Sequence, residues 1–272
     1  MRSINHQRLP LLLLLFILNS CKSSIKEQSD QLYSRHLQRL VDLTIISTRM
    51  PDDKQEMNLL LFNSGNELAQ MDAKDIIDSL DSKKLIRPLV LVSINGREKQ
   101  EYGLTNLAAS GQTGNKANKY NEFVIGDLYP FIKKKTRIRK FNSIAICGSS
   151  LAGISAFDIA WQNADKIDKV GVFSGDFNYG GNVNIKDGMQ NAILQEISIS
   201  RKRPKLAYWL YAAENGDTLI LHNTKQLINI IDEKNTGGTA AIQFVSDKTG
   251  YNNLISWRHH FAEFLLWAFG SN

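Results

Sequence analysis

The chain has 272 residues, 43% of them hydrophobic and 22% charged, and Lys and Arg outnumber Asp and Glu by 33 to 27 for a net charge of +6. That balance excludes an intrinsically disordered chain, and the length allows one large hydrophobic core or two small ones. With only two cysteines, Cys21 and Cys147, a disulfide-rich scaffold is excluded as well.

In chain order, Arg2 and Arg8 flank a basic start, and Pro10 to Leu18 is a short apolar core. This pattern is a secretory signal, too short to span a membrane as a mature helix. The segment Leu18-Asn19-Ser20-Cys21 resembles the bacterial lipobox, which implies a lipidated Cys21 as the mature N-terminus. The alternative is ordinary cleavage near Ser20 with a free Cys21. Lys22 to Gln31 is polar, carries three serines and has no apolar period, so it reads as a tether. The expected organisation is a lipoprotein signal peptide over 1–20, a polar tether over 21–31 and a single domain over 32–272. The expected location is the periplasmic or cell-surface side of a bacterial membrane, with the anchor at Cys21 as the membrane contact.

Strands are predicted at Leu43–Ser47, Asn58–Phe62, Leu89–Ile94, Ser143–Cys147, Lys169–Phe173, Ala207–Tyr211 and Ala241–Val245. Helical patterns cover Asp72–Leu80, Tyr120–Lys134, Ser150–Asn163, Thr218–Glu233 and Leu254–Phe269. Short apolar strands alternating with helices predict an α/β fold, a mostly parallel sheet covered on both faces. Ligand sites in such sheets lie beyond the carboxyl ends of the strands, which would gather Asn63–Asn66, Ser150, Ser174–Phe177 and Ala213–Asp217 on one rim. The basic run Lys133 to Lys140 reads as a solvated helix end whose cations complement the macrodipole. Contact with anionic headgroups is its other reading. No aromatic residues interleave the run, so no nucleic-acid partner is expected.

Gly148-Ser149-Ser150-Leu151-Ala152-Gly153 follows one apolar strand and opens a helix. Strand, sharp turn with a central serine, helix: this is the nucleophile-elbow arrangement of α/β-hydrolases, with Ala152 in the last place of G-x-S-x-G. A turn that tight strains the serine backbone and needs small flanking residues. Ser150 is thereby the candidate nucleophile. Cys147, at the end of a buried strand, reads as core. No H-E-x-x-H motif or His/Asp/Glu cluster at ligand spacing is present, so neither a metal nor another cofactor is expected.

Further segments carry a resemblance. Leu59–Gly65 ends a strand in Asn-Ser-Gly, Arg97 precedes Glu101-Tyr102-Gly103, Val170–Gly175 ends in Phe-Ser-Gly, and Trp257 precedes Phe264–Gly270. With the elbow, and in this order, they resemble the esterase family of α/β-hydrolases that includes esterase D and enterochelin esterases. The resemblance covers nearly all of 32–270 and implies the α/β-hydrolase fold and attack by Ser150 on a carboxylic ester. It implies an oxyanion hole from the Leu151 amide and one amide of the Ser64-Gly65 loop. It implies Glu214 as the acid that orients a histidine, with Asp217 as the second candidate.

The family histidine is missing. The corresponding stretch is Gly250-Tyr251-Asn252-Asn253-Leu254-Ile255-Ser256-Trp257: spacing to the tryptophan lands on Asn252, adjacency to glycine on Tyr251. Neither is a general base near neutral pH. His36, His222, His259 and His260 are expected at or near the surface, away from Ser150. The chain therefore supports two readings. One is an esterase-like serine hydrolase of the cell envelope with impaired or unusual catalysis on a small-molecule ester. The other is a non-catalytic hydrolase-fold lipoprotein that binds a ligand or partner in the same cleft; a purely structural envelope protein ranks below both.

Overall fold

A computed structural model of the chain describes residues 25–49, 57–105, 115–177, 182–185, 188–235 and 241–271. The signal segment, Cys21 and the first residues of the expected tether lie outside the described residues. Each strand expected from an apolar run is present. They are β2 (Arg39–Ser47), β3 (Asn58–Asn63), β4 (Leu89–Ile94), β5 (Ile144–Ser149), β6 (Lys169–Phe173), β9 (Ala207–Asn215) and β10 (Ala241–Tyr251). A further strand, β1 (Lys26–Ser34), precedes them and pairs antiparallel with β2 along its whole length.

β1 corrects the expected tether: from Lys26 onward that segment is strand, and a domain start at residue 32 falls inside it. The reason is its position. An edge strand needs only backbone pairing on one side, and most of its side chains are exposed, so a polar composition suffices. Also unexpected are a small hairpin of β7 (Asn182–Ile185) and β8 (Gly188–Asn191) and the helix α6 (Ala192–Ile199).

The eight strands lie in the order β1-β2-β4-β3-β5-β6-β9-β10, parallel from β4 to β10 and antiparallel at the β1–β2 edge. From β3 the chain passes through α1 (Ala73–Ser82) to β4 on one side. From β4 it returns through α2 (Glu98–Glu101), α3 (Ala117–Glu122), a π-helical stretch (Phe123–Leu128) and α4 (Tyr129–Thr136) to β5 on the other. The order thus reverses between β3 and β5, and ligand sites in such sheets lie beyond the carboxyl ends at that point.

Two apolar layers cover the sheet. One holds Ile144 and Ile146 of β5 with α3, α4, α5 (Ser150–Gln162), α6 and α7 (Thr218–Lys234). The other holds Ala145 and Cys147 with α1 and α8 (Leu254–Phe269). The alternation along β5 follows from the two-residue period of a strand. Cys147 is fully buried, and burial pushes its thiol well above its ordinary pKa, as befits a core residue. Lys133, Lys134 and Lys135 occupy the last turn of α4, where Lys135 pairs with Asp30 of β1. Among the described residues, no helix is long and apolar enough to cross a membrane.

Candidate active site

Ser150 stands at the end of β5 with φ +48°, in the left-handed region that L-residues avoid. The turn closes because its flanks are glycine. A Cβ on Gly148 would lie 2.6 Å from the Ala152 carbonyl oxygen, and one on Gly153 would lie 2.9 Å from the Gly148 carbonyl oxygen. The hydroxyl of Ser149 donates to Glu67 (2.5 Å), which ties the turn after β3 to the end of β5. Strand, strained serine and helix therefore meet as the spacing predicts.

The loop expected to supply an oxyanion donor follows β3. Ser64 also has a left-handed backbone, φ +72°. Its amide donates to the Tyr102 hydroxyl (3.1 Å), which leaves the Gly65 amide as the candidate donor of the expected pair. Asn63, wholly buried, bridges loop and elbow: it donates to the Ala152 carbonyl (3.2 Å) and accepts from the Tyr120 hydroxyl (2.9 Å). Burial pushes the Tyr102 hydroxyl up to about 12 and Tyr120 well above its ordinary value, so both stay protonated as fixed donors and acceptors. Glu101 accepts from Arg39 (2.7 Å to Nε) and from the Arg97 amide (2.8 Å), which anchors the Glu-Tyr-Gly segment behind the loop. The Arg97 side chain takes no part in this anchor.

The other half of the rim differs. Asn252 lies between the ends of β6 and β9. Its Oδ1 accepts from the Ser174 hydroxyl (2.7 Å) and from the Ala213 amide (3.0 Å), and the Trp257 indole donates to the Ser174 oxygen (2.9 Å). The direction of this chain is forced. An indole N–H and a backbone N–H only donate, so Ser174 must spend its single proton on Asn252, and the atom facing both must be Oδ1. Both Oδ1 lone pairs are then used. The remaining group, Nδ2, is buried and without a hydrogen-bond partner, and it can only donate. Asn252 cannot take a proton from Ser150.

Asn252 is held from both sides. Asp247 closes a turn by accepting from the Thr249 amide (2.9 Å) and the Gly250 amide (2.8 Å), and its other oxygen meets the Tyr211 hydroxyl (3.2 Å) and His260 Nε2 (3.1 Å). Burial opposes ionisation of Asp247, but these donors outweigh it and hold its carboxyl well below the usual range. On the far side Asn253 caps α8 through the Ser256 amide. Ser174, φ +49°, is left-handed too, one strand over from Ser150.

The candidate acids do not reach Asn252. Glu214 is exposed and accepts from the Ser246 hydroxyl (2.7 Å), and Asp217 caps α7 through the Leu219 amide. Tyr251, the alternative to Asn252, is 56% exposed and ends β10, with its carbonyl toward the Tyr211 hydroxyl. No histidine among the described residues bonds Ser150. His36 faces Glu122, His260 spans Asp247 and Glu263, and His222 and His259 are exposed. Also among the described residues, no group of three His, Cys, Asp or Glu side chains is placed to hold a metal ion.

Sequence reasoning placed Ser174 and Trp257 on the rim or in the closing helix but missed their bond to each other and to Asn252. It missed Asp247 and Glu67 altogether. A signal existed for Asp247: Asp-x-x-Gly after a strand is a side-chain-capped turn.

Comparison with known proteins bears on this geometry. The family described as Putative esterase matches residues 41–253. Among curated proteins, none matches the chain. Solved structures with the same fold include the enterobactin esterase from Shigella flexneri in the presence of enterobactin (16% identity, TM-score 0.71, 89% of this chain and 58% of that one). A ferulic acid esterase aligns at 16% identity and TM-score 0.68 over 90% and 98%. The siderophore hydrolase EstB from Aspergillus nidulans aligns at 14% and 0.69 over 88% and 93%. This chain spans under three fifths of the length of the enterobactin esterase it matches.

Proposed function

Because the chain belongs to the esterase family of α/β-hydrolases, we propose that it is a serine-dependent carboxylic ester hydrolase of the bacterial cell envelope whose proton-transfer machinery is impaired. Ser150 attacks the acyl carbonyl, and the Leu151 and Gly65 amides receive the developing oxyanion. The observation that carries the impairment is the Asn252 amide, whose oxygen already holds two hydrogen bonds and whose nitrogen has only protons to give. Losing a triad histidine costs about a million-fold in turnover in a well-studied protease. The oxyanion hole and binding leave roughly a thousand-fold over water. The expected activity is slow hydrolysis of small activated esters.

The second reading is a binding protein. The rim offers donors rather than a base: the Leu151 and Gly65 amides and the unpartnered Asn252 Nδ2. Such a set holds a carbonyl or carboxylate oxygen without cleaving anything. Export and lipidation at Cys21 belong to both readings and rest on the basic start, apolar core and lipobox-like end. Mass spectrometry that finds residues before Cys21 on the mature protein would overturn that address.

A fluorophosphonate probe separates the two readings. Slow labelling that Ser150→Ala removes supports the impaired hydrolase, and absence of labelling with retained ligand binding supports the binding protein. Wild-type turnover of simple esters in the ordinary range of roughly 1–1000 per second, abolished by Ser150→Ala, would sink the impaired-triad proposal.

A further inference from the structure

At the opposite end of the sheet, where β3, β5 and β6 begin, lies a cavity of about 300 Å³ lined by Arg87, Asn142, Ser143, Lys169 and Trp267. We propose that this cavity is a binding site for a phosphate-type oxyanion, separate from the Ser150 rim.

Three observations converge on it. First, the cavity wall holds two cations and no carboxylate. Lys169 is half-buried. Its pKa is lowered first by burial, and the charge of Arg87 lowers it further, so the two cations sit close enough to repel. The charge of Asp168 acts the other way and outweighs that repulsion, but its carboxyl accepts from the Ile144 amide (2.8 Å) and does not line the cavity. Second, the Ser143 hydroxyl is buried there without a partner. A buried hydroxyl left unpaired costs about 1–3 kcal/mol, which an arriving acceptor would recover. Third, the Arg87 guanidinium makes no bond to any described residue.

The ordinary explanation for the cations is the carboxyl end of α8, whose partial negative charge attracts them. Three of its last four carbonyls are already served. The Phe269 carbonyl accepts from the Arg87 amide (2.8 Å), the Leu266 carbonyl from the Gly270 amide (2.9 Å), and the Ala268 carbonyl from the Lys169 ammonium. One ammonium proton is spent, and two remain with the whole guanidinium fork. Of the amide donors nearby, Asn142 gives one of its two N–H groups to Asn58 (3.2 Å), and Asn58 donates to the Pro88 carbonyl (3.0 Å). The donors lining the cavity are thus a fork, an ammonium and the second N–H of Asn142, with the Ser143 hydroxyl buried beside them. Three directions suit a tetrahedral oxyanion with several acceptor oxygens better than a planar carboxylate. Trp267, whose ring lies 5.7 Å from the Lys169 nitrogen, offers an apolar wall to whatever the anion is attached to.

A free phosphate and a phospholipid headgroup present the same chemistry. Isothermal titration distinguishes them, using the full chain with Cys21→Ser so that no lipid anchor contributes. The titrants are inorganic phosphate, a short-chain soluble phosphatidylglycerol, and acetate as control, at low salt because these interactions are screened. Saturable binding is expected for at least one phosphate titrant. It should weaken about tenfold in Arg87→Gln and in Lys169→Met, less in Ser143→Ala, and be unchanged in Ser150→Ala. Arg87 is exposed, so its variant folds even if Lys169→Met does not. Phosphate alone binding identifies a free anion, and phosphatidylglycerol binding identifies a headgroup. No saturable heat from either, equal binding of acetate, or binding indifferent to both Arg87→Gln and Ser143→Ala overturns the proposal.

Discussion

The two halves of the rim are made of different material. On the β3–β5 half the groups proposed to act are backbone: the strained Ser150 turn, the Leu151 amide and the Gly65 amide, beside Asn63, Tyr102 and Tyr120. On the β6–β9–β10 half they are side chains: Ser174, Asn252, Glu214 and Asp247. Backbone features are held by the strand order and the glycines, so they persist as long as the fold does. A side-chain proton relay can be lost while the fold is kept. Here Asn252 even contributes to packing order by closing the Trp257–Ser174 chain.

The largest expected effect tests whether the first half is competent when the second is rebuilt. Asn252→His alone should raise ester kcat/KM less than tenfold, because the Ser174 hydroxyl and Ala213 amide would donate to Nδ1 and leave the proton on Nε2, the wrong tautomer. Adding Ser174→Asp supplies an acceptor for the imidazole and for Trp257. The double variant should gain about 10²–10⁴-fold, lost again with Ser150→Ala. No gain in the double variant would mean that the oxyanion half is itself incomplete. Tyr251→His, in the alternative alignment, should gain nothing.

Next in size is the elbow. Gly148→Ala forces a methyl against the Ala152 carbonyl and should cost roughly 1–3 kcal/mol in chemical denaturation. An unchanged midpoint would show that the turn relaxes easily and that the backbone half is less rigid than described. Ser174→Ala removes the acceptor of the buried Trp257 indole and one donor to Asn252. It should cost about 1–3 kcal/mol, read by denaturation and by a change in tryptophan fluorescence.

The smallest effect is a pH dependence. The Asp247 carboxyl is depressed in the folded state relative to about 3.9 when unfolded. Its stabilisation is therefore fully present above that value and is lost as pH falls toward the folded pKa. Thermal melts of wild type and Asp247→Asn should differ at about pH 5 and converge as pH falls below about 4. A gap that stays unchanged from about pH 5 down to about pH 2 would remove Asp247 from the forces that hold Asn252.

Much of this molecule was legible before its coordinates. The buried strands from Leu89–Ile94 to Lys169–Phe173 declare themselves because a strand covered on both faces must be apolar throughout. The elbow is legible for a similar reason: so tight a turn restricts which residues can flank it, and Gly148, Ala152 and Gly153 satisfy that restriction within six positions. β1 was not legible, since an edge strand asks nothing of side-chain composition, and Lys26–Ser34 has the polarity of a linker. The site divides in the same way. That Asn252 stands where a histidine is expected could be read from spacing to Trp257. That its oxygen is saturated and that Glu214 turns to Ser246 could not. Those facts concern the direction of hydrogen bonds between residues 30 to 80 positions apart. Local pattern records which residues a turn or strand can tolerate, while the direction of a bond depends on which donors the folded chain brings to the same acceptor.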